Sequence, residues 1–171
     1  PYVLTALSRY DSDGEIKNGI VNSILSKQNE DGSFTEYGET IQTTANIICG
    51  LAPFVESDEQ VKDAGNKAVL FLSSVQKEDG TYDAYGYGDD TNTVAMLIAS
   101  LSALGINTDT DERFIKNGIS LYDTLFKYVL EDLSGFAYSK DDISYNDYST
   151  EQAFRALICA GMVAREEKPF N

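Results

Sequence analysis

The chain has 171 residues, enough for one domain with a real core, and 42% of them are apolar. Lys and Arg number 13 against 28 Asp and Glu, a net charge of −15, which speaks against binding a nucleic-acid backbone or an anionic lipid surface. There is no His, which removes Ser-His-Asp and Cys-His catalysis and His-ligated zinc, and two Cys are too few for a Cys-only zinc site.

Tyr2 to Leu7 reads as the last turns of a helix with neither Met nor cap before it, so the chain is expected to be a piece of a longer protein. Asp11-Ser12-Asp13-Gly14 looks like a fragment of a calcium loop, but no closing Glu is in register, and it reads as a turn. Ile16, Ile20, Ile24 and Leu25 then fall at helical spacing. Gln28-Asn29-Glu30-Asp31-Gly32-Ser33-Phe34 follows, and it recurs as Gln76-Lys77-Glu78-Asp79-Gly80-Thr81-Tyr82. A weaker third copy spans residues 130–136, with Leu130 in place of the Gln and Gly135-Phe136 as the small-aromatic pair. Recurrence at a nearly constant period marks a helical-hairpin array.

Each copy is followed by a Tyr, carboxylates and hydroxyls, and then an apolar run. The three stretches are Tyr37-Gly38-Glu39-Thr40, Tyr87-Gly88-Asp89-Asp90-Thr91 and Tyr145-Asn146-Asp147-Tyr148-Ser149, leading to Ala45, Ala95 and Ala153 at shifts of 50 and 58. The helix before each copy is amphipathic. Val61, Ala64, Ala68, Phe71, Leu72 and Val75 carry the pattern in the second unit, and Phe114, Ile115, Ile119, Tyr122, Leu125 and Val129 in the third. The helix after each Tyr is apolar nearly all round, as in residues 94–101, and therefore belongs to an inner layer. Almost no strand is expected. The units run over residues 11–54, 55–105 and 106–171, after the end of a preceding unit in residues 1–10.

The connections have local reasons. Asp31-Gly32 and Asp79-Gly80 supply a turn tolerant of positive φ, and the preceding Gln can bond the turn backbone. Phe34, Tyr82 and Phe136 are expected to plug the gaps between hairpins. Thr40, Thr43, Asp90, Thr91, Ser149 and Thr150 suit helix N-caps, and Gly105 and Gly161 suit C-caps. Cys49 and Cys159 sit in apolar runs and read as buried free thiols, with a disulfide left open. No apolar stretch is long and pure enough to span a bilayer.

An outer helix ending in Gln, then a Gly and an aromatic, as in residues 67–82, resembles the repeat of squalene cyclases and protein prenyltransferase β subunits. The third unit, with Phe114 to Asp123, Gly135-Phe136 and Ser149-Thr150-Glu151-Gln152-Ala153, is most similar to bacterial cell-surface proteins carrying this repeat. That resemblance implies an all-α fold forming about half of an α/α toroid, with inner and outer helix layers. It implies an extracellular or cell-surface location in a Gram-positive-type bacterium, and a binding or structural module rather than an enzyme. It also implies contacts to further repeats of the same chain, so the first and last hairpins are expected to expose apolar sides.

Two other functions are weighed. Terpene cyclases of this fold carry an Asp-x-Asp-Asp-Thr acid site, which would make Asp89 the acid and Asp90 its neighbour, but here the first Asp is Tyr87. Such an acid needs a pKa raised by burial or by a second carboxylate. Glu39 and Asp147 take the matching place in the other units, and a carboxylate before every inner helix fits capping better. Zinc-dependent prenyl transfer is excluded with the missing His, and no Asp-Asp-x-x-Asp stretch serves magnesium. No metal and no cofactor are expected, and Asp141 and Asp142 read as solvated charges. Tyr37, Glu39, Tyr87, Asp89, Asp90, Asn92, Tyr145 and Asp147, with Tyr85 and Gln42, fall at one rim. There they are candidates for binding a small molecule such as a corrinoid, or a glycan, or a protein. The plainer expectation is that these Tyr rings pack between hairpins and hydrogen-bond locally.

Overall fold

The computed structural model describes residues 3, 4, 6 and 14–169, and these form helices with no strand among them. Val3, Leu4 and Ala6 are helical, whereas Asp11 to Asp13 lie outside the described residues. The chain runs through α1 (Gly14–Leu25), α2 (Ile41–Leu51), α3 (Glu59–Ser74), α4 (Thr91–Ala103), α5 (Leu121–Phe126) and α6 (Asp147–Ala164). Two 3₁₀ turns, Ala52–Phe54 and Glu112–Phe114, lie between α2 and α3 and between α4 and α5. Pro53 ends α2 because it has no N–H to continue the ladder.

Helices α2, α4 and α6 stand side by side, with α4 in the middle; α3 packs on α2 and on α1, and α5 packs on α4. The middle position explains composition. Thr91, Val94, Ala95, Leu97, Ile98 and Leu101 of α4 are all buried, as expected for a helix without a polar face. Phe34, Tyr82 and Phe136 enter the same core, and the Tyr82 hydroxyl donates to the Leu72 carbonyl at 3.0 Å. A second, smaller core joins Leu4, Val21, Leu51 and Val61.

One side chain joins successive units. The Gln28 amide donates to the carbonyls of Gly32, in its own turn, and Ala64, on the next unit's helix, at 2.9 and 2.8 Å. Gln76 repeats this with Gly80 and Phe114 at 3.1 and 3.3 Å. Gly32 and Gly80 have φ of 88° and 84°. A Cβ on Gly32 would lie 2.6 Å from the Lys67 carbonyl oxygen, and one on Gly80 would collide with the Thr124 hydroxyl. The glycine therefore serves both the turn and the approach of the next unit.

The third turn departs from this pattern and corrects the expected alignment. Leu130 accepts and donates the turn bonds that Asn29 and Lys77 make, so Val129, not Leu130, stands at the Gln position. Asp132 matches Asp31 and Asp79, Leu133 takes the positive-φ place at 58°, and Gly135 is an extra residue. Leu133 is 77% exposed, whereas Gly32 and Gly80 are pressed on the following unit. The inner helices start at residues 41, 91 and 147, so the second and third differ by 56 rather than 58.

The continuous amphipathic helix expected over residues 114–129 is not formed. Asn117 and Gly118, with φ of 52° and 80°, make a two-residue turn closed by paired bonds between Lys116 and Ile119 at 3.0 and 2.9 Å. Asn-Gly is the preferred pair where both residues need positive φ, and this local preference breaks the helix. Ser120 and Asp123 then form a capping box that starts α5. The other end also differs from expectation. Gly105 caps α4 as foreseen, but Gly161 lies inside α6, which ends at Arg165 with Glu166 in the left-handed conformation.

Three predictions follow from these contacts. Gln76→Ala leaves the Gly80 and Phe114 carbonyls without a donor and should cost about 2 kcal/mol in urea unfolding. Glu166→Gly relieves a non-glycine left-handed residue and should raise stability by about 1 kcal/mol on the same assay. Asp31, Asp79 and Asp132 are held below the usual carboxylate range, first by the side chain and then by the backbone N–H of Ser33, Thr81 and Ser134. A depressed folded pKa stabilises above the unfolded value of 3.8 and loses that contribution as pH falls through the folded value. Asp79→Asn should therefore flatten the fall in Tm below about pH 4, and an unchanged acid limb would refute the linkage.

Candidate functional site

The starts of the inner helices gather at one rim. Gln42, at the start of α2, donates to the Thr93 hydroxyl at 2.7 Å. At the start of α4, the Thr91 N–H donates to the Tyr138 carbonyl at 2.9 Å and its hydroxyl to the Ala137 carbonyl. At the opposite rim, a cleft is lined by Ala52, Pro53, Leu104 and Lys168, at the far ends of the same three helices. The three helices are therefore parallel, and the segments 35–42, 83–92 and 138–148 that precede them share an edge.

The carboxylates nearest the helices cap them. Glu39 accepts from the N–H groups of Gln42 and Thr43 at 2.7 Å each and from the Thr43 hydroxyl at 3.0 Å. Buried Asp90 accepts from the Thr93 N–H at 2.8 Å and its hydroxyl at 2.7 Å. In the third unit Asn146 does this work, accepting from the Ser149 N–H at 2.9 Å. The matched set is thus Glu39, Asp90 and Asn146. Asp147 is instead an exposed first residue of α6, and Asp89 lies one residue outside the cap. Thr40 holds the N-cap position of α2, but Glu39 supplies the cap bonds, because a longer side chain reaches past one residue. Thr43, Ser149 and Thr150 lie inside their helices, and Thr150 instead closes on the Phe136 backbone, as Thr44 does on Phe34.

Asp89 is no isolated acid in an apolar pocket. Its carboxylate accepts from the Tyr128 hydroxyl at 2.9 Å and pairs with Lys140 at 3.4 Å. Burial, then the Asp89 charge, pushes the Tyr128 hydroxyl above its ordinary range, and the same charge raises Lys140. Asn92 is half-buried, and its side-chain carbonyl oxygen is shielded from solvent without a hydrogen-bond partner.

Tyr37 and Tyr87 depart from the expectation that the rings pack between hairpins, whereas Tyr145 lies against Gly135 of its own turn and Tyr85 bonds across to Gln42. Tyr37 is fully exposed and Tyr87 is 96% exposed; Tyr85, Tyr138, Tyr145 and Tyr148 are exposed as well. Tyr37 and Gly38 form the tip of a two-residue turn, with φ of 51° and 79°, closed by bonds between Glu36 and Glu39. Two positive-φ glycines, Gly86 and Gly88, flank Tyr87. The glycines let the backbone turn tightly at this point, and the ring is left to solvent. The Tyr85 hydroxyl donates to Gln42 at 3.2 Å. Burial raises that hydroxyl first, followed by the charges of Glu39 and Asp90, and Tyr138 and Tyr148 add to it. These groups therefore form one electrostatic neighbourhood.

Elsewhere, Cys49 and Cys159 are free, and burial, with Cys159 nearby, pushes the Cys49 thiol up to about 11. Among the described residues no three Asp, Glu or Cys gather as metal ligands, and no helix is long and apolar enough to cross a membrane. On the outward side of α6, Phe154 and Ile158 are exposed, as is Ile16 on α1. No protein-family model matches the chain, and no curated protein matches it.

The two adjacent aspartates should separate on mutation. Asp90→Ala removes a buried cap and should cost about 1 to 2 kcal/mol in urea unfolding. Asp89→Asn removes a part-exposed ion pair and should cost less than about 1 kcal/mol. Equal losses would show that both act alike.

Proposed function

We infer that this chain is a non-catalytic binding or structural module of an exported bacterial surface protein, built as part of an α/α toroid, with its binding surface on the tyrosine rim. The toroid reading is supported by parallel inner helices, by α3 and α5 packed on them, and by a turn that repeats its contact to the next unit. The exposed apolar residues on α6 and α1 fit contacts to further repeats. The surface location rests on the resemblance of the repeat residues alone.

The observation that carries the binding reading is the placement of the tyrosines. Every described Tyr that is exposed lies in the three rim segments, while Tyr82 and Tyr128 are buried and Tyr122 packs on Phe126. Large amphipathic rings with only two side-chain torsions suit recognition at low entropic cost. The proton-initiated cyclisation reading lacks such support. Asp90 is spent on a helix cap, and Asp89 is shared by Tyr128 and Lys140.

The test uses Tyr37 and Tyr87, which make no packing contribution. Tyr37→Asn/Tyr87→Ser should leave Tm unchanged or slightly raised, since Asn tolerates positive φ better than Tyr. On a panel of glycans, corrinoids and peptides, at least one member should bind the parent chain and lose most of its signal with the double variant. If no panel member distinguishes the two proteins, the rim is not a binding surface.

A further inference from the structure

The partner class can be read from the charge around the rings. The segments 35–42, 83–92 and 138–148 hold six of the eleven tyrosines, eight carboxylates, one Lys and no Arg. Lys140 is already paired with Asp89, and Asp83 pairs with Lys77 from the preceding turn at 3.8 Å, which leaves six carboxylates without a cation among these pairs. Glu36 and Asp147 are exposed and stand beside Tyr37 and Tyr148 in the chain. Beyond Lys140 the rim continues into an open groove of about 520 Å³. Val129, Leu130 and Ile143 give this groove apolar surface, and Glu131, Asp132 and Asp142 make it acidic.

Several occupants are disfavoured by the same facts. A second copy would bring another net charge of −15 to an acidic edge. Phosphate-bearing or anionic lipid partners meet the same repulsion. A neutral ligand such as a glycan can hydrogen-bond to the carboxylates and stack on the rings, but it draws nothing from their net charge. Arg and Lys satisfy both parts of the surface, since their charge meets the carboxylates and their planar or methylene portions lie on Tyr faces. Arg is the better match, because its guanidinium both stacks on rings and binds carboxylates through two parallel bonds.

We propose that the tyrosine rim, with the adjoining groove, docks an arginine-bearing basic segment of a partner protein. This rests on the rim being a binding surface and adds the chemistry of what it binds.

The experiment measures fluorescence anisotropy of a labelled short peptide alternating Arg with Gly, at physiological ionic strength. The parent chain should bind it, and Tyr85→Ser/Tyr148→Ser should weaken binding at least about fivefold. Tyr85→Phe/Tyr148→Phe should stay within about twofold, because the ring face is kept. Glu36→Gln/Asp147→Asn should weaken binding, and Glu59→Gln/Asp63→Asn on α3, an equal change of charge, should not. A Lys version of the peptide should bind more weakly than the Arg version. Absence of peptide binding, or equal losses from the rim and α3 charge pairs, overturns the proposal. If the peptide fails while a glycan or corrinoid binds the parent and is lost with Tyr37→Asn/Tyr87→Ser, the basic-partner proposal falls and the rim remains a binding surface. If nothing binds, both fall.

Discussion

A primary amide that donates twice holds this molecule in order. Gln28 and Gln76 each give one hydrogen to the turn that follows and one to a carbonyl of the next unit. The bond within the turn closes a tight connection between successive helices. The bond across units fixes how the next unit sits. A glycine beside it, with no Cβ, lets the next backbone come close. Lys127 and Asn117 strengthen the second junction by donating to the Asp79 and Glu78 carbonyls. Because each junction uses the same geometry, successive inner helices point the same way and their starts line up.

The rim is a consequence of that alignment. Tyr-bearing segments far apart in sequence meet only when α2, α4 and α6 are parallel and in step. The cross-unit bonds Gln42 to Thr93 and Thr91 to Tyr138 record the result. The carboxylates divide between two tasks. Glu39 and Asp90 turn inward to cap helices, while Glu36 and Asp147 stay exposed with the tyrosines. The third junction position has neither device, with Val129 at the Gln place and Leu133 at the Gly place.

Much of this was legible in the residues. The Gln-to-aromatic repeat located the turns, the apolar run located α4, and Asp90 and Gly105 were readable as caps because capping is local chemistry. The third unit was misread where local turn preference overrode periodicity. Phe114 to Val129 keeps a helical spacing, yet Asn117-Gly118 folds into a tight turn, and the spacing survives only as a pattern of burial. The extra Gly135 shifted the alignment by one residue at the turn, and matching Ala153 to Ala95 shifted it by two at the helix. That shift hid Asn146 and placed Asp147 where a cap was expected. Exposure of the tyrosines was not legible, because a Tyr beside a helix start reads equally as a plug or as a surface ring. Burial decided it.

Hydrogen exchange on Gln76→Ala tests the link between junction and rim most directly. Loss of the Phe114 bond should speed exchange in α5 and at the Thr91 amide, which is held by the third unit, while amides of α2 and α3 keep their protection. Uniform loss across all helices, or unchanged protection at Thr91, would contradict the claim that the Gln junctions set the rim in place.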